Sequence, residues 1–217
     1  MLEYHSWSTR LKALRCKLFG KTDFERWTDA SEFEDWEERT KIIARLVPPG
    51  VRVIEFGVGM GKLQRHLDPS CQYTPSDLVS RGPGTIVLDL NQRPLPDLTA
   101  HAFDLAIFAG VLEYVHDLHS FIEWLRQQSP ACIASYGCAA HPRHSLARLP
   151  ETFRRAGAGW TNTFTETELI RLFADAGYGL AHAVDWHTAE GDERIFHFRD
   201  NDRTQAGSMF RAHPILS

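Results

Sequence analysis

VIEFGVGMG, residues 53–61, carries an apolar run with one carboxylate into a turn that holds three glycines in five places. With Val51 before it, the run Val53, Ile54 and Phe56 reads as a buried strand. Gly57, Gly59 and Gly61 read as a turn whose backbone passes close to something, since glycine adopts positive φ without strain and carries no Cβ. A dinucleotide fingerprint requires G-x-G-x-x-G after such a strand. Gly57 and Gly59 fill its first two places, but Lys62 stands in the third, and the last glycine comes one residue early, at Gly61. Glu55 adds a charge argument: a carboxylate beside the turn repels a pyrophosphate and attracts a cation. The turn therefore suits a nucleoside ligand of positive rather than doubly negative character.

Outward from this stretch the chain alternates. Strand-like runs fall at 51–56, 72–76, 85–89, 104–109, 131–136, 180–186 and 194–199, with helical patterns at 61–67, 117–128 and 166–176. That alternation argues for an α/β fold around a mainly parallel sheet. AEGDE, 189–193, joins the last two strands too tightly for a parallel crossover, so they should form an antiparallel hairpin. LVSRGPG, 78–84, is too short for the usual crossover helix between the second and third strands. Upstream, Ser31 and Glu34 have capping-box spacing. Phe33, Trp36, Thr40, Ile43 and Val47 then mark one face of a helix that Pro48-Pro49-Gly50 stops.

S-adenosylmethionine is a nucleoside ligand with an ammonium, a sulfonium and no phosphate, and here the sequence resembles the class I S-adenosylmethionine-dependent methyltransferases. VIEFGVGMG is similar to that family's first motif. The resemblance implies that Glu55 fixes the methionine ammonium and that Gly57, Gly59 and Gly61 shape the cofactor turn. Asp77, in YTPSDL, matches the acidic residue that bonds the ribose hydroxyls, with Leu78 against the adenine. Asp89, in VLDLNQRPLP, would face the adenine amino group, with the Leu90 backbone beside it. FDLAIFAGVLEYVHDL resembles the fourth strand and its turn, where Ala109 and Gly110 would line the methionine end. FTETELIRLFADAGYGL resembles the late helix and the entry to the next strand, so the likeness spans about residues 42–199. It implies a Rossmann-like, mostly parallel seven-stranded sheet with a C-terminal antiparallel hairpin, helices on both faces and further helices at the N-terminus. Two departures mark a subgroup: Glu113-Tyr114 stands where many relatives read Glu-His, and the helix between the second and third strands is reduced.

The whole chain bounds these readings. With 217 residues and net charge −4 it is most simply one domain with no global attraction to nucleic acid. The expected division is an N-terminal helical extension, 1–41, followed by a methyltransferase domain, 42–217, with a substrate-facing insert at about 137–165. No apolar run reaches a membrane span, and Cys16, Cys71, Cys132 and Cys138 lack metal or redox spacing, so a cytoplasmic setting with free thiols and no metal is expected. Residues 1–22 carry five Lys and Arg against Glu3, with Trp7, Leu11, Leu14 and Leu18 at helical spacing. This basic helix either packs on the domain's flank or meets a membrane surface, a partner or a polyanionic substrate.

No Asp/Asn-Pro-Pro-Tyr/Phe run follows the fourth strand; in the methyltransferases that the sequence resembles, that run implies an exocyclic base amine as acceptor, so its absence lowers the odds of one. The expected activity is methylation of a small molecule or glycan, at oxygen. The alternatives are an inactive methyltransferase-like interaction subunit and a nucleotide-dependent oxidoreductase, the latter disfavoured by Lys62. An alcohol acceptor has a proton to lose, and His141, then His144 and Tyr114, are the candidate bases, with Glu113 beside Tyr114. Arg143, Arg148, Arg154 and Arg155 in the insert are candidates for holding an acidic substrate, and Trp160 for stacking on one.

Overall fold

The computed structural model describes residues 7–28, 36–188 and 191–202. The Ser31–Glu34 capping box and Phe33 lie outside them. Three helices come first: α1 (Trp7–Leu18), α2 (Phe24–Thr28) and α3 (Glu37–Arg45). The sheet then begins with β1 (Arg52–Phe56), followed by β2 (Gln72–Asp77), β3 (Ile86–Val87), β4 (Leu105–Ala109) and α4 (Leu118–Gln128). After these come β5 (Ala131–Tyr136), α5 (Leu149–Gly157), α6 (Glu166–Asp175), β6 (Tyr178–Thr188) and β7 (Gly191–Asp200).

The seven strands run in the order β3-β2-β1-β4-β5-β7-β6. The first five are mutually parallel, and β7 is antiparallel to both β5 and β6. The expected mixed sheet and hairpin are therefore present. The central strands are buried on both faces, which is why they read as apolar runs rather than alternating ones. Val53, Leu105, Ile107, Ile133 and Ile195 face one core with Ile43 and Val47. Ile54, Phe56, Phe108, Phe196 and Phe198 face the other with Phe121, Leu125, Leu169 and Phe173 from α4 and α6.

Capping sets the bounds of the two later helices. Asp117 accepts from the Ser120 N–H at the start of α4, and Thr165 and Glu168 form a reciprocal capping box on α6.

Three expectations change. The helix read at 61–67 is a four-residue 3-10 turn, Leu63–His66, that Leu67 leaves in extended conformation before Asp68-Pro69. The third strand shrinks to two paired residues, Ser76 opposite Ile86 and Asp77 opposite Val87. It nevertheless stays parallel to β2 across the short loop, because a two-residue edge strand needs no helix to cover it. The insert holds a helix, α5, that was not expected.

Candidate active site

β1 and β4 are neighbours although β2 and β3 continue on the other side of β1, so the chain reverses direction in the sheet between them. In open α/β sheets a crevice forms at the carboxyl ends of the strands at such a switch point. A cavity of about 170 Å³ lies there. Its wall includes Glu55, Gly57, Gly59, Asp77, Leu78, Asp89, Leu90, Ala109 and Gly110. These are nine of the ten expected cofactor residues, and only Gly61 is outside the wall.

The glycine turn has φ of +70° at Gly57, +55° at Gly59 and +65° at Gly61, a region L-residues with side chains avoid. A Cβ on Gly57 would sit 2.5 Å from Val111 Cγ2, so that glycine packs the turn against the loop after β4. Gly57 N–H donates to the Ser76 carbonyl (2.8 Å) and Gly59 N–H to Asp77 Oδ2 (3.0 Å), which tie the turn to the end of β2. Asp77 Oδ1 accepts from the Leu78 N–H (2.7 Å), and Arg81 Nε lies 3.4 Å from Oδ2. Asp89 Oδ1 accepts from the Thr22 hydroxyl (2.8 Å) and the Asn91 N–H (2.9 Å).

Glu55 is buried at the end of β1 and accepts a hydrogen bond from the Tyr73 hydroxyl. Burial pushes its carboxyl up to about 7; Tyr73 and Arg39 pull it back, and Asp77 adds to the rise.

Arg39, on α3, was not anticipated. It is almost fully buried, donates to the Ala109 carbonyl (3.2 Å) and pairs with Glu193 (3.4 Å). Its guanidinium stacks over Trp36 at 4.6 Å and Trp186 at 5.6 Å. It lies so close to Gly110 that a Cβ there would be 2.7 Å from Nη1. Thr22, Trp27, Trp36, Arg39 and Thr40 all line the cavity, so the N-terminal segment forms one wall. The predicted helix face named Thr40 and Ile43 but passed over Arg39, the residue just before Thr40. Trp27 carried no local signal.

The wall also has donors and acceptors that no protein group satisfies: Ser76 Oγ and Arg39 Nε are buried without a hydrogen-bond partner among the described residues. Buried polar groups in folded proteins are normally satisfied, so these two atoms suit a polar ligand. With Glu55 and Arg39 both present, the wall offers opposite charges to one zwitterionic end of a ligand.

The candidate bases separate. Tyr114 lines the cavity, edge-on to Trp27 at 4.4 Å. Burial raises its phenol far above neutrality, with Glu113 adding to the rise, so it stays protonated. Glu113 is fully buried beneath it, its carboxyl raised to about 7 first by burial and then by Glu193. Its Oε1 accepts from the Gly137 N–H (3.1 Å), linking the turn after β4 to the end of β5. His141 and His144 are exposed and outside the cavity wall.

Two of the insert's four arginines are built into its own structure. Arg148 pairs with Glu168 (3.2 Å), and Arg155 donates to the carbonyls of Gly137 (2.7 Å) and Cys138 (2.9 Å). Arg143 and Arg154 are exposed. Trp160 packs over Gly137, where a Cβ would lie 2.5 Å from its ring, and under the Arg155 guanidinium at 4.6 Å.

A family model described as a methyltransferase domain matches residues 32–183. No curated protein matches the chain in sequence. Among solved structures, a Burkholderia thailandensis 1,6-didemethyltoxoflavin N1-methyltransferase, holding its substrate and S-adenosylhomocysteine, superposes with a TM-score of 0.61 at 16% identity, covering 90% of this chain and 91% of that one. The magnesium protoporphyrin IX methyltransferase of Synechocystis, with S-adenosylhomocysteine bound, gives a TM-score of 0.56 at 16% identity over 88% and 100% of the chains. Mitomycin 7-O-methyltransferase gives 0.54 at 16% identity over 76% and 53%. At these identities the likeness is one of fold.

Proposed function

As a member of the methyltransferase-domain family, the chain is an S-adenosylmethionine-dependent methyltransferase, and we propose that it methylates an oxygen of a small molecule or a glycan. The observation that carries the cofactor assignment is one cavity, at the sheet's switch point, walled by Glu55, the glycine turn, Asp77, Asp89 and Gly110 together. Glu55 and Arg39 would hold the ammonium and carboxylate of the methionine end. Asp77 would hold the ribose hydroxyls, and Asp89 with the Leu90 backbone the adenine edge. Bound S-adenosylmethionine supplies a methyl on a sulfonium, whose leaving group departs neutral.

The protein's main task is then alignment, and orientation by itself supplies effective molarities of order 10⁵ M or more. Trp27, Trp36, Tyr114 and Val111 line the cavity and would shield the reacting end from water once the ligands are bound. Tyr114, held neutral, acts as a hydrogen-bond donor or packing surface rather than as a base. A carboxyl acceptor arrives already ionised and needs no base here. A glycan hydroxyl needs one, and His141 or His144 reaches the acceptor only if the insert folds inward. The division expected at residue 41 falls within α3, and the extension supplies a wall of the cavity. A cytoplasmic setting agrees with four cysteines that are all free thiols.

Calorimetric titration tests the cofactor assignment: S-adenosylmethionine and S-adenosylhomocysteine bind at micromolar concentration and NAD does not. Hydrogen bonds to charged groups contribute about 1.5–3 kcal/mol, so Asp77→Ala weakens binding roughly 10- to 150-fold. Equal affinity would remove Asp77 from the site. Rate profiles of wild type and His141→Ala from about pH 5.5 to 9 test the acceptor: a drop above about 10²-fold places the base on the insert, and an unchanged profile favours an acidic oxygen.

A further inference from the structure

We propose that α1 and the insert around α5 form a surface that docks on anionic lipid bilayers. α1 packs against α5, and both expose large apolar side chains. On α1 and its C-terminal turn these are Leu11, Leu18 (80% exposed) and Phe19 (70%). On the insert they are Leu146, Leu149 and Phe153 (69%). Large side chains this exposed carry a hydration cost unless something covers them.

The occupant is indicated by charge. Residues 7–22 and 137–165 hold nine lysines and arginines against the single acid Glu151, in a chain of net charge −4. Lys12 is paired with Asp23 and Glu25, Arg148 with Glu168 and Arg155 with Glu151, so the charge at the surface comes from the remaining bases. Arg15, Lys21, Arg143 and Arg154 are exposed among the apolar side chains. Leucines and phenylalanines set among bases on helices that pack side by side match the interfacial layer of an anionic membrane. A bilayer accepts single insertions of that kind without a matching shape. The surface is also continuous with the site: Thr22, four residues beyond the end of α1, lines the cavity. Docking would therefore hold the cavity's N-terminal wall at a membrane, where an acceptor dissolved in or tethered to lipid is concentrated.

Co-sedimentation with vesicles of phosphatidylcholine alone, or with about one third phosphatidylglycerol, tests the proposal at low and high salt. The wild-type chain should bind the anionic vesicles at least about 10-fold more tightly than the neutral ones and be released at about 0.5 M salt. Leu18→Glu with Phe153→Glu, at exposed positions outside the cavity wall, should lose that binding while S-adenosylhomocysteine affinity and the circular-dichroism melt stay unchanged. Arg15→Ser with Arg154→Ser should weaken it while leaving the apolar residues in place. No binding to anionic vesicles, or undiminished binding by the first variant, overturns the proposal. So does a dimer in light scattering that the first variant dissociates without any vesicle binding, which would assign the face to a second copy of the chain.

Discussion

Glu55, proposed to meet the cofactor's ammonium, is a carboxyl under opposing influences. It is buried, which favours the neutral acid, yet Tyr73 donates to it from β2 and Arg39 faces it from α3, both favouring the carboxylate. Asp77, at the end of β2, works the other way. The net result is a carboxyl at about 7 in the free protein. An ammonium binds the carboxylate form, so cofactor affinity should climb as pH rises through about 7 and fall about tenfold per unit on the acid side. Tyr73→Phe removes a bond that lowers this value, so the acid limb should move to higher pH while affinity near pH 8 changes little. Loss of the ligand's own amine proton sets the alkaline limb and is the same for both proteins. Titrations with S-adenosylhomocysteine between about pH 6 and 9 read this directly. Superimposable curves for the two proteins would mean that Tyr73 does not position Glu55.

α3 and the turn after β4 are coupled through one contact. α3 ends at Arg45, ahead of Pro48-Pro49-Gly50, and its buried stripe of Thr40, Ile43 and Ala44 sits on the sheet. That seating aims Arg39 along the sheet edge to Ala109 and Gly110. Gly110 has φ +70°, and its missing Cβ leaves the room that Arg39 occupies. Gly110→Ala should therefore strain the backbone by about 1–3 kcal/mol and push Arg39 aside, lowering cofactor affinity at least about tenfold in a protein that still folds. Arg39→Ala should cost a similar factor. Because both remove one interaction, the double variant should lose little more than either single one; additive losses would separate the two residues. The 3-10 turn after the glycines bears on the same point. A single turn has almost no macrodipole to offer a phosphate, so the proposed recognition of charge at this end would rest on side chains, Glu55 and Arg39 foremost. The electrostatic argument that excluded a pyrophosphate thus has a counterpart in the backbone.

The N-terminal segment spans the molecule as a strap. Lys17 donates to the Trp160 carbonyl (3.3 Å), Arg26 to that of Ala158 (2.7 Å), Thr22 to Asp89, and Arg81 reaches back to the Thr28 carbonyl (3.2 Å). Extension, insert and cofactor loops therefore share one set of bonds around the cavity. A ligand bound only by the native state at about 100 times its dissociation constant adds roughly 2.7 kcal/mol. For a domain of this size that corresponds to a rise in Tm of roughly 5–10 °C. Saturating S-adenosylhomocysteine should produce this shift and also slow proteolysis between residues 19 and 28; a thermal shift without that protection would show that the strap does not close on the cofactor.

The alternation of apolar runs, the glycine spacing and the carboxylates at strand ends were readable in order along the chain, because each depends on neighbours a few positions away. They located the sheet, the hairpin and nine residues, of the ten expected at a cofactor, that line one cavity. Arg39, Trp27 and Trp36 lie 15 or more residues before the glycine turn. Helical periodicity marked Trp36 as a face residue but gave it no place in the site, and nothing in the local pattern marks Arg39 or Trp27, since their role comes from helices folding back over the sheet. Position along the chain equally suggested His141 for the reacting end, five residues past β5, and only the packing of the insert showed it turned to solvent. Local sequence carries periodicity and backbone conformation; which side chains share a cavity depends on burial and contacts across distant segments, and these exist only once the chain has folded.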